Sequence, residues 1–279
     1  MTPFVEKTLF REAILKPGSF QYNYDLKCYE PHDDLKPFVE HYFISRRRAQ
    51  YDPLYVGSDV LSQPVVSLFF KPEGAHFEGP TMGKRTLAAK DSPLYVGAQF
   101  KPGGFYPFWK QPLNSLAEKR IPASSVIPAV TKKFVHEFLE EDDHTMLSSI
   151  ESLLRSKDPQ PDPNLELLDN IIRTIEESNS IVTVAKVAAQ FNKSERTVQH
   201  LFQTYVGVGA KWTIMRTRFL EVIKHAREQE KPDWLWLASE YGYSDQSHFI
   251  NDFKRLTGES PSQFVHNMPA PSILKTSSD

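Results

Sequence analysis

The sequence predicts an α+β chain: a β-rich first half, then an all-α half with two helix-turn-helix units joined by a long helix. Three observations predict it. Val184 to Tyr205 (VAKVAAQFNKSERTVQHLFQTY) and Trp234 to Leu256 (WLWLASEYGYSDQSHFINDFKRL) follow one plan. Apolar residues between these segments recur at spacings of three and four, the period of a helix. Before residue 110, short runs of β-branched and aromatic residues stand between proline and glycine turn signals, the pattern of strands.

In the first half, Val65-Val66-Ser67-Leu68-Phe69-Phe70 lies between Gln63-Pro64 and Lys71-Pro72-Glu73-Gly74, and Leu94 to Phe100 precedes Lys101-Pro102-Gly103-Gly104. Both read as strands. Asp34 to Phe43 reads as a short helix or the start of a strand. The whole region reads as a small sandwich or barrel. From Leu113 to Arg155 the pattern turns helical, with Phe134, Val135, Phe138 and Leu139, then Met146, Leu147, Ile150, Leu153 and Leu154, at helical spacing. Ser156 to Pro163 (SKDPQPDP) holds three prolines and no apolar residue apart from them, so the domain boundary is expected there. The expected division is a sensor or dimerisation domain over 1–157, a linker over 158–164, a helical domain over 165–268 and a frayed tail over 269–279. Leu165, Leu168, Ile171, Ile172 and Ile175 give the helical domain an amphipathic opening helix.

Each of the two units has a short helix with a small residue, Ala188 or Ala238, where a second helix can cross closely. Each turns through a residue that tolerates positive φ, Asn192 or Gly242. Each second helix begins at a residue suited to the N-cap, Ser194 or Asp245, whose side-chain oxygen can take an orphan N–H. It ends on an aromatic, Phe202 or Phe253. The two aromatics are 51 residues apart, and so are the two caps. Between the units, Gly209 to Glu228 reads as one helix through Trp212, Met215, Phe219, Val222, Ile223 and Ala226. About 20 residues at about 1.5 Å each make a rod of roughly 30 Å. The pitch of B-DNA is about 34 Å, so such a rod can present two helices to successive major grooves. An all-helical bundle that never meets nucleic acid shares the periodicity, and the tandem register decides for DNA.

With Thr197, Val198, Leu201 and Phe202 assigned to the inward side, Arg196, Gln199, His200 and Gln203 face outward, with Lys193 in the turn before them. Aligning Phe202 with Phe253 places Ser247, Ile250, Asn251 and Lys254 in the equivalent positions, with Gln246 at the helix start. These residue types suit base edges: Arg pairs with guanine, Gln and Asn with adenine, and Ile packs on a thymine methyl. Each could instead be a solvated helix position. His248 reads as a packing residue.

These segments carry a resemblance. Residues 165 to 266 resemble the DNA-binding domain of the AraC/XylS transcription regulators, most specifically over Gly242 to Phe264 (GYSDQSHFINDFKRLTGESPSQF), including Pro261. The first unit departs from the family at Asn192-Lys193-Ser194, where a glycine and a hydrophobic residue usually precede the serine. The family often has Arg at the position of Asn251. Val96 to Trp109 (VGAQFKPGGFYPFW) resembles the N-terminal sensor of one branch of these regulators, a degenerate cupin-like fold. The resemblance implies base reading from the ten outward residues. It also implies a sequence-specific, AraC-like DNA-binding transcription regulator controlled by a ligand or partner at the N-terminal domain. The expected partners are double-stranded DNA across two adjacent major grooves, RNA polymerase, an unidentified small-molecule effector and a second copy bound through residues 1–157. Neither cofactor nor metal is expected.

Composition sets bounds. One cysteine, Cys28, excludes an internal disulfide and a Cys-rich zinc site. It reads as a small buried hydrophobe. No apolar run reaches the roughly 18 residues of a membrane span, and charges in MTPFVEKTLFREAILK argue against a signal peptide, so a cytoplasmic protein is expected. Net charge is −2, and from Leu165 onward 13 Lys and Arg face 14 Asp and Glu. A DNA binder is expected to be more basic. Here the cations Lys186, Lys193, Arg196, Lys211, Arg216, Arg218, Lys254 and Arg255 cluster on or beside the two units. The alternative is a small-molecule sensor or protein-interaction protein whose helical domain does not bind DNA. A metal-dependent cupin enzyme is a third class, but His32, His41 and His76 form no H-x-H with a following Glu, and no phosphate-binding or nucleophile motif occurs. The chain is therefore expected not to be an enzyme. Phe69, Tyr95, Phe100, Phe105, Tyr106, Phe108 and Trp109 are the candidate pocket lining, and read more readily as core.

Overall fold

The computed structural model describes residues 3–4, 23–49, 58–61, 63–87, 92–178, 183–227, 229, 231–243 and 245–266. The frayed tail expected over 269–279 and most of the charged N-terminal stretch lie outside them.

The first half is an antiparallel sheet. Its strands are β1 (Pro3–Phe4), β2 (Tyr24–Tyr29), β3 (Val39–Arg47), β5 (Ser67–Lys71), β6 (Gly74–Glu78), β8 (Leu94–Phe100) and β9 (Arg120–Pro122), ordered β1-β2-β3-β8-β5-β6-β9. A separate ribbon pairs β4 (Ser58–Leu61) with β7 (Lys84–Leu87). The strand read at Val65–Phe70 is found at Ser67–Lys71, with Val65 in the bend before it, and that at Leu94–Phe100 as read. Asp34 to Phe43 resolves into a turn followed by β3. Alternation decides which side is buried. Tyr42, Ile44, Leu68, Phe70, Val96, Ala98 and Phe100 point into the core. The half-exposed Phe43, Phe69 and Tyr95 face the other way, with the Phe43 and Phe69 rings 5.4 Å apart.

The single turn α1 (Tyr106–Trp109) lies between β8 and β9, and α2 (Lys132–Leu139) and α3 (Asp143–Arg155) follow the sheet. Thr131 caps α2 by accepting from the Phe134 N–H, and Asp142 caps α3 by accepting from His144 and Thr145. Their apolar stripes close the inner face of the sheet; the Phe138 ring lies 4.4 Å from that of Phe70. Buried Glu151 on α3 accepts from the His32 backbone N–H and from Arg155, which pins the loop before β3 against the helix.

The second half opens with α4 (Pro163–Glu177), two residues earlier than Leu165. Pro163 suits the first helical position, where no N–H is needed, and Asp162 caps the Asn164 N–H. Then come α5 (Val184–Gln190), α6 (Glu195–Leu201), a one-turn π segment (Phe202–Val206), α7 (Ala210–Arg227), α8 (Trp234–Glu240), α9 (Gln246–Thr257) and α10 (Pro261–His266). Two cores form. Leu168, Ile171, Val187, Ala188, Val198, Phe202 and Ile214 share one; Phe219, Val222, Ile223, Leu237, Ala238, Phe249 and Phe253 share the other. The spacer α7 therefore walls both.

Among the described residues, the contacts between the halves include two that tie the sheet domain to each unit. At the first, Tyr106 of α1 packs on Tyr205 with ring centres 4.3 Å apart. There the π segment ends at Gly207, with φ +86°, and a Cβ added to it would fall 2.7 Å from the Leu113 carbonyl oxygen. Only glycine satisfies both the angle and the contact. At the second, Leu61 of β4, fully buried, belongs to the core of the second unit. Among the described residues no helix is long and apolar enough to cross a membrane.

Candidate nucleic-acid interface

The two units are built alike. Ala188 and Ala238 are both buried, where the first helix of each unit meets the second. The turns carry the expected backbone: φ is +52° at Asn192 and +78° at Gly242. After each turn an N–H returns to the first helix. Lys193 donates to the Ala188 carbonyl and Tyr243 to that of Ala238. Ser194 then accepts from the Thr197 N–H at 3.1 Å, and Asp245 from the His248 N–H at 2.8 Å. These bonds satisfy orphan donors and set where each second helix starts. Phe202 and Phe253, both fully buried, anchor the ends.

This anchoring leaves the rows expected to read bases mostly in solvent. Lys193, Arg196, His200 and Gln203 are exposed, and Gln199 is half-buried. In the second unit Gln246, Ser247, Asn251 and Lys254 are exposed, and Ile250 is half-buried. Gln203 sits in the π segment, so its direction departs from a continuous α-helix. Gln199 and Gln203 both reach toward Gly209 at the start of α7, where an added Cβ would lie 3.5 Å from each amide group.

Three expectations need correction. Thr197 is exposed, because its hydroxyl is drawn to Ser194 at 2.8 Å, which holds it at the helix start. Arg216 does not belong to the exposed basic set: it is buried, 6% exposed, on the side of α7 that faces the sheet domain. The aromatic stripe divides. Phe100, Phe105 and Phe108 are core, Tyr106 and Trp109 are partly buried at its edge, and Phe69 and Tyr95 lie on the opposite face.

Asp252 lies on the core side of α9, nine-tenths buried, apart from the exposed row of Ser247, Asn251 and Lys254. Arg255 donates to it at 2.7 Å and His248 lies 3.5 Å away, so its charge is met locally. His248 also packs edge-on to Tyr243. Of the cations read as a basic set, Lys186, Lys193, Arg196, Lys211 and Lys254 are exposed. Arg218 is half-buried, and desolvation lowers its pKa.

Comparison with known proteins agrees with this geometry. Residues 187–267 match a family model described as a helix-turn-helix domain, and residues 27–122 match a domain of unknown function (DUF6597). No curated protein matches the chain. Among solved structures, the chain is similar to ToxT from Vibrio cholerae O395, at 11% identity and a TM-score of 0.35 over 74% of this chain and 86% of that one. It is also similar to an apo ToxT variant from Vibrio cholerae strain SCE256, at 10% identity and a TM-score of 0.38, covering 88% and 94%. These structural likenesses are too distant to add to the argument. Residues 187–267 thus match a helix-turn-helix domain, and both of its units are capped and crossed in the same way.

Proposed function

We propose that one protomer lays the second helices of both units in successive major grooves on one face of DNA. Lys193, Arg196, Gln199, His200, Gln203, Gln246, Ser247, Ile250, Asn251 and Lys254 make the contacts. The observation that carries this reading is the pair of solvent-facing rows on α6 and α9, held by one spacer that walls both cores. Arg196, Gln199 and Asn251 read base edges; Lys193 and Lys254 neutralise phosphate. The modest basic set suits a protein whose affinity rests on specific contacts more than on counterion release.

The sheet domain is the controlling part. It touches each unit separately, at Tyr106–Tyr205 and at Leu61, so whatever binds it acts on both. A small-molecule effector, RNA polymerase and a second copy joined through residues 1–157 are the proposed further partners. The chain performs no catalysis in this reading.

Selection of bound sites from random DNA with the purified protein tests the reading. Recovery of no sequence preference would overturn it in favour of a protein-interaction module. On the selected site, Arg196→Ala should cost about 1–3 kcal/mol and relax preference at one base pair. An equal loss on selected and random DNA would make Arg196 a phosphate contact.

We also propose that the domain boundary falls in the expected 158–164 linker, before the helix that opens at Pro163. Residues Ser156, Asp158, Gln160 and Pro161 are exposed. Limited proteolysis should cut first between Ser156 and Asp162. Initial cleavage inside α4 or α7 would show that the boundary lies elsewhere.

A further inference from the structure

Each helix-turn-helix unit ends on a glycine at the same place, five residues after its buried aromatic: Gly207 after Phe202, and Gly258 after Phe253. Both glycines are left-handed, with φ +86° and +78°, and both close a helix. The Gly207 N–H donates to the Phe202 carbonyl and the Gly258 N–H to that of Lys254. One loop of the sheet domain, Gly79 to Lys84 after β6, reaches both. A Cβ added to Gly207 would lie 2.9 Å from Pro80 Cγ, and one added to Gly258 would lie 2.8 Å from Lys84 Cε. Between these contacts Gly83 passes the Arg255 carbonyl oxygen, 3.9 Å from where its own Cβ would stand.

The loop is itself fixed to the sheet domain. The Gly79 N–H donates to the Lys119 carbonyl and the Glu118 N–H to the Pro80 carbonyl, each at 2.9 Å, and the Met82 N–H donates to the Glu118 carboxylate. Lys84 pairs across the ribbon with Leu61, which the second core buries. Its ammonium lies beside Gly258 at the C-terminal end of α9, where the helix dipole favours a cation. We infer that this loop is a bracket that fixes the second helices of the two units relative to each other, with Pro80 and Lys84 as positioning residues for DNA reading by both.

The spacer alone does not fix that relation. It sets the distance between the units, but a helix of 18 residues can bend, and each unit packs around its own core. Packing along the spacer is also incomplete: a cavity of about 180 Å³ lies between its Thr213 and Arg216 and the Glu40 and His41 of β3. The bracket closes a ring through the sheet domain, the first unit, the spacer and the second unit. A bend in the spacer must then disturb the contact at Gly207 or at Gly258, so the ring resists it. Each added base pair moves a DNA site by about 3.4 Å and turns it by about 35°. A bracketed pair of units therefore discriminates between site spacings, and an unbracketed pair does so less.

Because the role in reading rests on the DNA-binding proposal above, the test on the full chain has two arms. The first needs no DNA. Nitroxide labels at Gln203→Cys and Lys254→Cys, each one residue past its aromatic anchor, report the distance between the second helices by pulsed electron paramagnetic resonance. Burial pushes the Cys28 thiol up to about 11, so it stays protonated and unlabelled. One narrow distance distribution is expected. It should broaden in Pro80→Ala and in Lys84→Ala, and narrow again in Lys84→Arg. Lys84 is exposed, so its substitution empties no core. In the second arm, the site selected from random DNA is compared with one whose two halves stand one base pair further apart. The unsubstituted chain should prefer the selected spacing by at least about tenfold, and the chain carrying both alanines by about threefold or less. Three results would overturn the bracket: an unchanged distribution in either alanine variant, a Lys84→Arg chain as broad as Lys84→Ala, or an unchanged spacing preference in the double variant. Broadened distributions in a protein with no sequence preference would remove the DNA-binding reading alone and leave the bracket standing.

Discussion

Val222→Pro should remove specific DNA binding more completely than loss of either recognition face. Val222 is fully buried within α7, whose 18 residues span Ala210–Arg227. Proline there deletes a helix hydrogen bond and clashes with the carbonyl four residues back, at a cost of about 3 kcal/mol or more, and kinks the rod. The kink falls among Phe219, Ile223 and Ala226, which belong to the second core, while Ile214 stays with the first. The second unit would then swing relative to the first. Two linked contacts can exceed either alone by roughly 10²- to 10⁴-fold, and that gain is lost when geometry forbids both together. Val222→Ala is the control, since it removes packing without breaking the helix. Affinity for the selected site should fall by that larger factor in the proline variant and far less in the alanine variant, with helicity followed by circular dichroism. A footprint of single bound wild-type protomers should show two protected segments about one turn apart. A footprint confined to one groove would remove the basis of the prediction.

Leu61→Ala should destabilise a unit whose own sequence begins more than 170 residues later. Leu61 has no exposed surface and lies in the core that holds Leu237, Phe249, Phe253 and Leu256. Truncating a fully buried leucine costs about 2–5 kcal/mol, depending on how well the site collapses. The neighbouring ribbon residue Lys84 runs beside Gly258 at the end of α9, where an added Cβ would lie 2.8 Å from Lys84 Cε. Hydrogen exchange should therefore speed up in α8 and α9 more than in α5 and α6, and chemical denaturation of the whole chain should begin earlier. Exchange that changes only in the strands around residue 61 would show that the ribbon does not support the second unit.

Much of the helical half could be read from the sequence because its determinants are local. A residue that tolerates positive φ, a polar cap and a small residue at a helix crossing act within a few positions of one another. Asn192, Gly242, Ser194, Asp245, Ala188 and Ala238 all take the backbone or burial expected of them. The spacer was equally readable, as a single apolar period across Phe219, Val222, Ile223 and Ala226. The strands Ser67–Lys71 and Leu94–Phe100 were readable for the same reason, since alternation and flanking turns need no distant partner.

What the sequence could not decide was which residues meet across the chain. Arg216 sits at a helical position that periodicity alone cannot place inside or out. Only the packing of α7 against the sheet domain buries it. The order of the seven strands, the inclusion of Leu61 in a core formed mainly by residues after 218, and the cavity between the halves all depend on pairings between residues far apart in sequence. Pattern within a window fixes which face of an element is apolar. Which element covers that face is decided by the close packing of the whole chain, and there the structure alone gave the answer.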